Sequence, residues 1–296
     1  MSEESDFRKI TIIGTGLIGG SIGLALKKSD YSGQIFGIDR KAIIEKAIHC
    51  GAIDQGSEKI EEGVKNSDMV VLATPVRDII ESIKLIKPLL SKKCLVTDTG
   101  STKTDIMAEA ENLFSDKYDF IGGHPMAGLE KGGIEYAHPD LFVKKPYILI
   151  PKKRNSSFSE LKMSSFIQRI GAIEINMQVT EHDRVVALIS HLPQLIAVSM
   201  TNMLGALATE KNNQDYFRIG GNVFNEMTRV ASSPFTIWND IYQTNMKWTI
   251  KAIEELEEML SNIKQKITSN PAELENDFST ARHLKEKILK INDLKY

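Results

Sequence analysis

A glycine-rich turn wedged between a β-branched run and a helical stretch constrains this chain more than any other feature. Gly14, Gly16 and Gly19 spell GxGxxG directly after the run ITII (10–13) and open the stretch LIGGSIGLALKK. Such a spacing is weak evidence in isolation and strong evidence in a strand–turn–helix setting. Gly14 permits the tight turn, Gly16 lets backbone amides approach a bound phosphate, and Gly19 lets the helix close on the strand. The start of a helix presents unpaired N–H groups and the positive end of its dipole, so the amides of Leu17 and Ile18 are candidates to hold a pyrophosphate.

The surroundings extend this reading toward a dinucleotide. Asp39 closes the next β-branched run, QIFGI, 20 residues after Gly19. A carboxylate at that place accepts hydrogen bonds from an adenosine ribose and repels a 2′-phosphate, which favours NAD. Arg40 stands beside it and keeps NADP as the alternative, to be gripped if Asp39 turns away. Thr74 and Pro75 follow the run MVVLA, and loops after strand C-termini in open α/β sheets face the ligand crevice. They are candidate contacts on the nicotinamide side.

From Lys9 to about Ile150, short β-branched runs alternate with helical stretches, the pattern of a doubly wound, mostly parallel sheet with crossover helices. Past Thr180 the period is helical to the end. The expected fold is therefore an α/β N-terminal Rossmann domain, 1–155, followed by an all-α C-terminal dimerisation domain, 156–296. A basic, Ser-rich segment, PKKRNSSFSE, supplies the linker, with one more short strand near Ala172 to Ile175. Thr180 and Asp183 have the spacing of a capping box at the start of the first helix of the second half. Apolar residues at 253, 256, 259, 260, 263 and 267 mark one face of a late helix that needs covering, either by its own domain or by a second subunit. A homodimer through the helical half is the expectation, and the charged stretch beyond Pro271 is expected to be a loosely packed helix.

Charge and composition exclude other partners. The 37 basic and 39 acidic residues nearly cancel, which supplies no electrostatic footprint for a nucleic acid. The charged start of the chain lacks the apolar core of a signal peptide, and no run of apolar residues looks long enough to span a bilayer, so a cytoplasmic protein with no membrane partner is expected. Cys50 and Cys94 are the two cysteines and fall in separate elements. Both are expected to be buried thiols, with neither disulfide nor metal site.

The chemistry-bearing residues cluster in three places: DTGSTK (98–103), GGHPMAGLE (122–130), and SHLPQ (190–194) with NEMTR (225–229). Oxidising an alcohol needs a group that removes the hydroxyl proton while hydride leaves carbon, and histidine titrates nearest to working pH. His124, between glycines and a proline on what reads as a loop, is the candidate catalytic base. Arg229 follows Glu226 by one helical turn, so the carboxylate can hold the guanidinium in place.

In content and order these segments, together with FNEMTRVASSPFTIW (224–238), resemble the signatures of the prephenate/arogenate dehydrogenases of tyrosine biosynthesis. The resemblance runs from about Lys9 to Trp238. It implies that His124 takes the ring hydroxyl proton, that Ser101 orients that hydroxyl and His124 near the nicotinamide, and that Arg229 binds a substrate carboxylate. It also implies that His191 and Glu130 line the pocket, Glu130 as a gate, and that the reaction is the oxidative decarboxylation of prephenate or arogenate with hydride transfer to NAD. Many relatives carry a second histidine where this chain has Gln194. A neutral amide can hydrogen-bond either a keto acid or an amino acid, so the choice of substrate stays open. His49, His138, His182 and His283 have no partner motif and receive no role. The competing readings are another two-domain dehydrogenase acting on 3-hydroxy acids, and a nicotinamide-binding sensor without chemistry.

Overall fold

In a computed structural model, residues 7–91, 93–114, 119–151 and 156–293 are described. An eight-stranded sheet organises the first half of the chain: β1 (Lys9–Ile13), β2 (Gln34–Ile38), β3 (Gln55–Ser57), β4 (Met69–Leu72), β5 (Leu95–Asp98), β6 (Asp119–Pro125), β7 (Pro146–Pro151) and β8 (Ile173–Asn176). Their spatial order is 3-2-1-4-5-6-7-8. β1 to β6 run parallel, β7 lies antiparallel to β6, and β8 is again parallel to β7. The order reverses between β1 and β4, and ligands of open α/β sheets bind in the crevice outside such a switch point.

Helices cover both faces, and the strands show why. Met69, Val70, Val71 and Leu72 of β4 are all buried, as expected for a strand enclosed on two sides. Their side chains alternate, so Met69 and Val71 join the core containing Ile22 and Leu26 of α1 (Leu17–Lys28), while Val70 and Leu72 join the opposite core. The second core is filled by α4 (Val76–Ile86), which offers Val76, Ile79, Ile83 and Ile86 at helical spacing, and by Ile106, Met107 and Ala110 of α5 (Thr104–Leu113). Burying each large aliphatic chain stabilises the fold by about 1.5–3 kcal/mol. The other helices here are α2 (Lys41–His49), α3 (Ile60–Val64) and α6 (Ser157–Arg169).

The sheet continues past the division expected at residue 155. That junction lies outside the described residues, but on its far side α6 sends Met163, Phe166 and Ile167 into the first core and β8 pairs with β7. The helical part begins with α7 (Val179–Val186), a π-helical segment (Ala187–His191) and α8 (Leu192–Glu210), followed by α9 (Asn222–Ala231) and α10 (Phe235–Thr244). Pro193 explains the π segment: it lacks the N–H that would bond Ile189, and its ring crowds the preceding turn. By length and composition the run Val179–Glu210 is apolar enough to cross a membrane, contrary to the sequence expectation, although it carries buried Asp183, His191 and Gln194.

Two further expectations need correction. Cys94 is buried, and burial pushes its thiol up to about 12, whereas Cys50 is exposed at the end of α2. Thr180 makes no capping bond at α7. Asp183 instead serves a different helix: its carboxylate accepts from the backbone amides of Lys103 and Thr104, each at 2.8 Å, at the start of α5.

Contacts divide the chain into two compact units, Met1–Met246 and Lys247–Tyr296. The second consists of most of α11 (Met246–Ser269) and α12 (Glu275–Asp293), linked by a Lys266–Asp277 ion pair at 2.7 Å. Met259, Leu260 and Ile267 on α11 are exposed.

Candidate active site

The glycine turn has the geometry its spacing suggests. Gly14 adopts φ +91°, and a Cβ there would lie 2.7 Å from the carbonyl oxygen of Ala73. At Gly19 a Cβ would fall 1.9 Å from the carbonyl oxygen of Gly14, so only glycine lets α1 close on the turn. Gly16 is different, because its missing side chain faces open space. No side chain caps the start of α1 and its first turn holds no acid, which leaves the amide end free of a competing anion. Asp39 sits at the end of β2, where its Oδ2 accepts from the Thr15 amide at 2.8 Å and so ties the acid to the glycine turn. The Arg40 side chain is exposed beside it.

A cleft of about 370 Å³ opens beyond this turn. Leu17, Ile18, Thr74, Pro75 and Ser101 line it from the sheet half, and Thr236 and Asp240 line it from α10. The hydroxyl oxygen of Thr74 is buried and has no hydrogen-bond partner among the described residues. Leaving such a group unmade costs on the order of 1–3 kcal/mol, so its place in the cleft wall fits a ligand that supplies the missing partner. Open space at Gly16, an uncapped helix start and an orphaned Thr74 hydroxyl together fit a dinucleotide.

Behind the cleft, Asp98 fastens the DTGSTK loop. Its carboxylate accepts from the Gly100 amide at 2.8 Å and the Gly123 amide at 3.1 Å, and it pairs with the buried ammonium of Lys103. Burial lowers the Lys103 pKa, with Asp98 opposing that effect. The paired glycines before His124 have a steric reason: a Cβ on Gly123 would meet the Asp98 carbonyl oxygen at 2.4 Å, and one on Gly122 would meet the Met107 sulfur at 2.7 Å. The loop is also hooked to the helical part, since Thr102 and Thr244 share a hydroxyl hydrogen bond of 2.7 Å.

His124 lies in strand β6, not on a loop, and pairs in register with Ile148 of β7. Its Nδ1 is 2.8 Å from Nε2 of His182, and Nδ1 of His182 is 2.7 Å from Oδ1 of Asp183. Burial holds the His124 ring well below the usual imidazole value, and repulsion from Lys103 and from His182 and His191 in their protonated forms adds to the effect. Burial also lowers His182. Asp183 would be raised by burial, but the hydrogen bonds from His182, Thr104 and the Lys103 amide outweigh this and leave its carboxyl below the usual range. His182 and Asp183 were missed by motif reasoning. Their adjacency in the sequence looks like helix capping, and only the fold sets them against His124.

The remaining expected residues divide into two groups. His191 is buried at the end of the π segment, edge-on to Trp238 at 6.1 Å and Tyr242 at 6.4 Å, with its Nδ1 3.3 Å from the Asn245 amide. Burial lowers its pKa to about 4. Gln194 is buried one turn later on α8. Arg229 is exposed on α9, where it bonds Glu226 at 2.9 Å and reaches Glu130 on the loop after β6. The base and the guanidinium are thus linked through one short loop, with Arg229 occupied by protein carboxylates. Arg218, a second arginine in the helical half, pairs with Asp215 at 2.9 Å.

Known proteins are similar to this chain in sequence and fold. A family model described as "Prephenate dehydrogenase, nucleotide-binding domain" matches residues 22–175, and one described as "Prephenate dehydrogenase, dimerization domain" matches residues 178–286. A prephenate dehydrogenase of Lactococcus lactis subsp. cremoris is 32% identical over 282 residues, covering 94% of this chain and 77% of that protein. The solved structure of prephenate dehydrogenase from A. aeolicus, in complex with hydroxyphenyl propionate and NAD+, superposes with a TM-score of 0.85 at 33% identity, covering 97% of this chain and 99% of that one. Arogenate dehydrogenase of Synechocystis gives 0.81 at 25% identity over 95% of this chain and 99% of that one. With residues 22–175 and 178–286 matched in order by the two family models, the chain belongs to the prephenate dehydrogenase family.

Proposed function

We propose that this chain is an NAD-dependent dehydrogenase that oxidatively decarboxylates a cyclohexadienyl acid, prephenate or arogenate, to 4-hydroxyphenylpyruvate or tyrosine. The observation that carries the reading is the placement of His124 at the C-terminal end of β6, with Nδ1 engaged by His182 and Nε2 left to act as base. Asp39 at the end of β2 favours the ribose hydroxyls of NAD over a 2′-phosphate. The family relationship supports the same cofactor, since the A. aeolicus relative is solved with NAD+.

NAD bound there would supply the acceptor for the hydride from C4 of the substrate ring, with carbon dioxide lost from C1 and the ring left aromatic. Leu17 and Ile18 present amides to the pyrophosphate, with Thr74 and Pro75 on the nicotinamide side. His124 takes the hydroxyl proton, a contribution of roughly 10²- to 10⁴-fold for a positioned base. Ser101, in the cleft wall, orients the hydroxyl. Arg229 binds a substrate carboxylate in place of Glu130, each charge-assisted hydrogen bond contributing about 1.5–3 kcal/mol. Glu226 keeps the guanidinium oriented during the exchange. His191 and Gln194 line the substrate side from the π segment and α8. The domain boundary belongs after β8, between the two matched segments.

The match to a dimerisation domain supports a homodimer through the helical half. Met200, Met203 and Leu207 are exposed on α8 and form an apolar strip that a second copy can cover. The test of the activity is direct: NADH formation followed by absorbance with prephenate, arogenate and a panel of 3-hydroxy acids, each with NAD and NADP. Turnover with a cyclohexadienyl acid and NAD is expected, and turnover confined to the hydroxy acids would overturn the proposal.

A further inference from the structure

We propose that His182 and Asp183 are positioning residues for the reaction: they fix which nitrogen of His124 carries a proton at rest and share the positive charge once the substrate proton has been taken. This deepens the activity proposed above and rests on it. The observations are a chain of contacts, Asp183 Oδ1 to His182 Nδ1 at 2.7 Å and His182 Nε2 to His124 Nδ1 at 2.8 Å, in which His182 and Asp183 are fully buried.

The tautomers follow from the far end of this chain. Both oxygens of Asp183 are surrounded by donors: the amides of Lys103 and Thr104, the Thr104 hydroxyl and the His182 ring. Such a carboxylate is ionised and can only accept, so Nδ1 of His182 carries a hydrogen. A neutral His182 then has its lone pair on Nε2. Two lone pairs cannot face each other at 2.8 Å, so the neighbouring Nδ1 of His124 must be the donor. That assignment leaves Nε2 of His124 unprotonated, the form a general base requires.

Charge is handled along the same line. As the substrate O–H bond breaks, a new N–H bond forms at Nε2 of His124, and the hydrogen on Nδ1 shifts toward Nε2 of His182. One positive charge is then shared by two rings, with the Asp183 carboxylate against the far one, until the proton returns to the phenolate oxygen that forms as carbon dioxide leaves. The other charged groups around His124 work against protonation. Lys103, paired with Asp98 on the loop after β5, and His191 on the π segment both disfavour a cation there. Asp183 on α7 is the acid in this direct hydrogen-bonded chain. A lone imidazole in this setting would be a poor proton acceptor, and the coupled pair offsets that.

The test uses the full chain with NAD bound. Nitrogen-15 NMR of the labelled imidazoles at neutral pH is expected to show His124 and His182 both in the Nδ1–H form; a His124 in the Nε2–H form overturns the inference. Asp183→Asn can present an N–H to His182, reverse both tautomers and lower kcat by about 10²- to 10⁴-fold, with KM and NAD affinity little changed. Because position 183 also holds the start of α5, His182→Gln supplies the second variant. Its side-chain carbonyl can accept from Nδ1 of His124 but cannot take the charge. The fold and NAD affinity should persist, kcat should fall about 10- to 100-fold, and the acid limb of the kcat profile should move to lower pH. An unchanged kcat with an unshifted limb overturns the charge-sharing role. The NMR result does not depend on turnover, so failure of the activity assay is distinguishable from failure of this inference.

Discussion

The guanidinium of Arg229 on α9 is held by the carboxylate of Glu130, 99 residues earlier in the chain and six residues past His124. A protein acid therefore occupies the cation proposed to receive a substrate acid. Arg229→Ala should raise KM by about 10- to 100-fold, the equivalent of one charge-assisted hydrogen bond, with NAD affinity unchanged. Steady-state kinetics with titrated NAD checks this, and an unchanged KM removes Arg229 from the substrate site.

Replacing His124 by Asn removes the base while leaving the β6–β7 pairing to the backbone. Turnover should fall at least about a hundredfold, and NAD affinity measured by calorimetry should stay within about twofold. Near-normal turnover would exclude His124 as the base.

Gly14 and Gly16 should respond in opposite ways to the same substitution. Gly14→Ala forces a side chain into a left-handed backbone and against Ala73, so a loss of more than about 1–2 kcal/mol of stability is expected. Gly16→Ala meets no protein atom and should leave stability within about 0.5 kcal/mol, yet weaken NAD binding at least about tenfold. Thermal melts with and without NAD separate the two effects.

Asp39→Ser removes the carboxylate at the end of β2. NAD affinity should drop by about 10-fold or more while NADP affinity rises. A variant that keeps the parent preference for NAD would place the discrimination elsewhere.

Three buried rings make stability depend on pH. His124, His182 and His191 all titrate below the ordinary imidazole value because burial disfavours their charged forms, His191 at about 4. Between the ordinary value near 6.5 and these depressed values the unfolded chain binds protons that the folded protein does not, so stability falls as pH drops through this window. For His191 alone the loss by pH 4 is on the order of 3 kcal/mol. Melts from pH 7 to 4.5 should show a steadily falling Tm, with a shallower slope for His191→Gln; a flat profile would argue against buried neutral rings.

The glycine turn, the alternation of strands with helices and the helical second half are legible in the sequence because each is encoded locally, by turn glycines and by the change from period 2 to period 3.6. His124, Ser101 and Arg229 stand out as candidates through motif content. Placement was harder. His124 was read on a loop because the antiparallel return of β7 that makes it part of a strand is a long-range event. Asp183 looked like a cap for its own helix, and it caps α5 instead, 79 residues away. Cys50, expected to be a buried thiol, is exposed at a helix end.

Setting the imidazole of His124 in register with Ile148 has an evolutionary corollary. The proposed proton acceptor and the glycine turn both belong to the sheet, whereas His191 and Gln194 lie on one helical run and Arg229 on α9. If those roles hold, selectivity among ring acids can drift by exchanging residues on the helices with no adjustment to the sheet, and a swap at Gln194 is the kind of change such a layout tolerates.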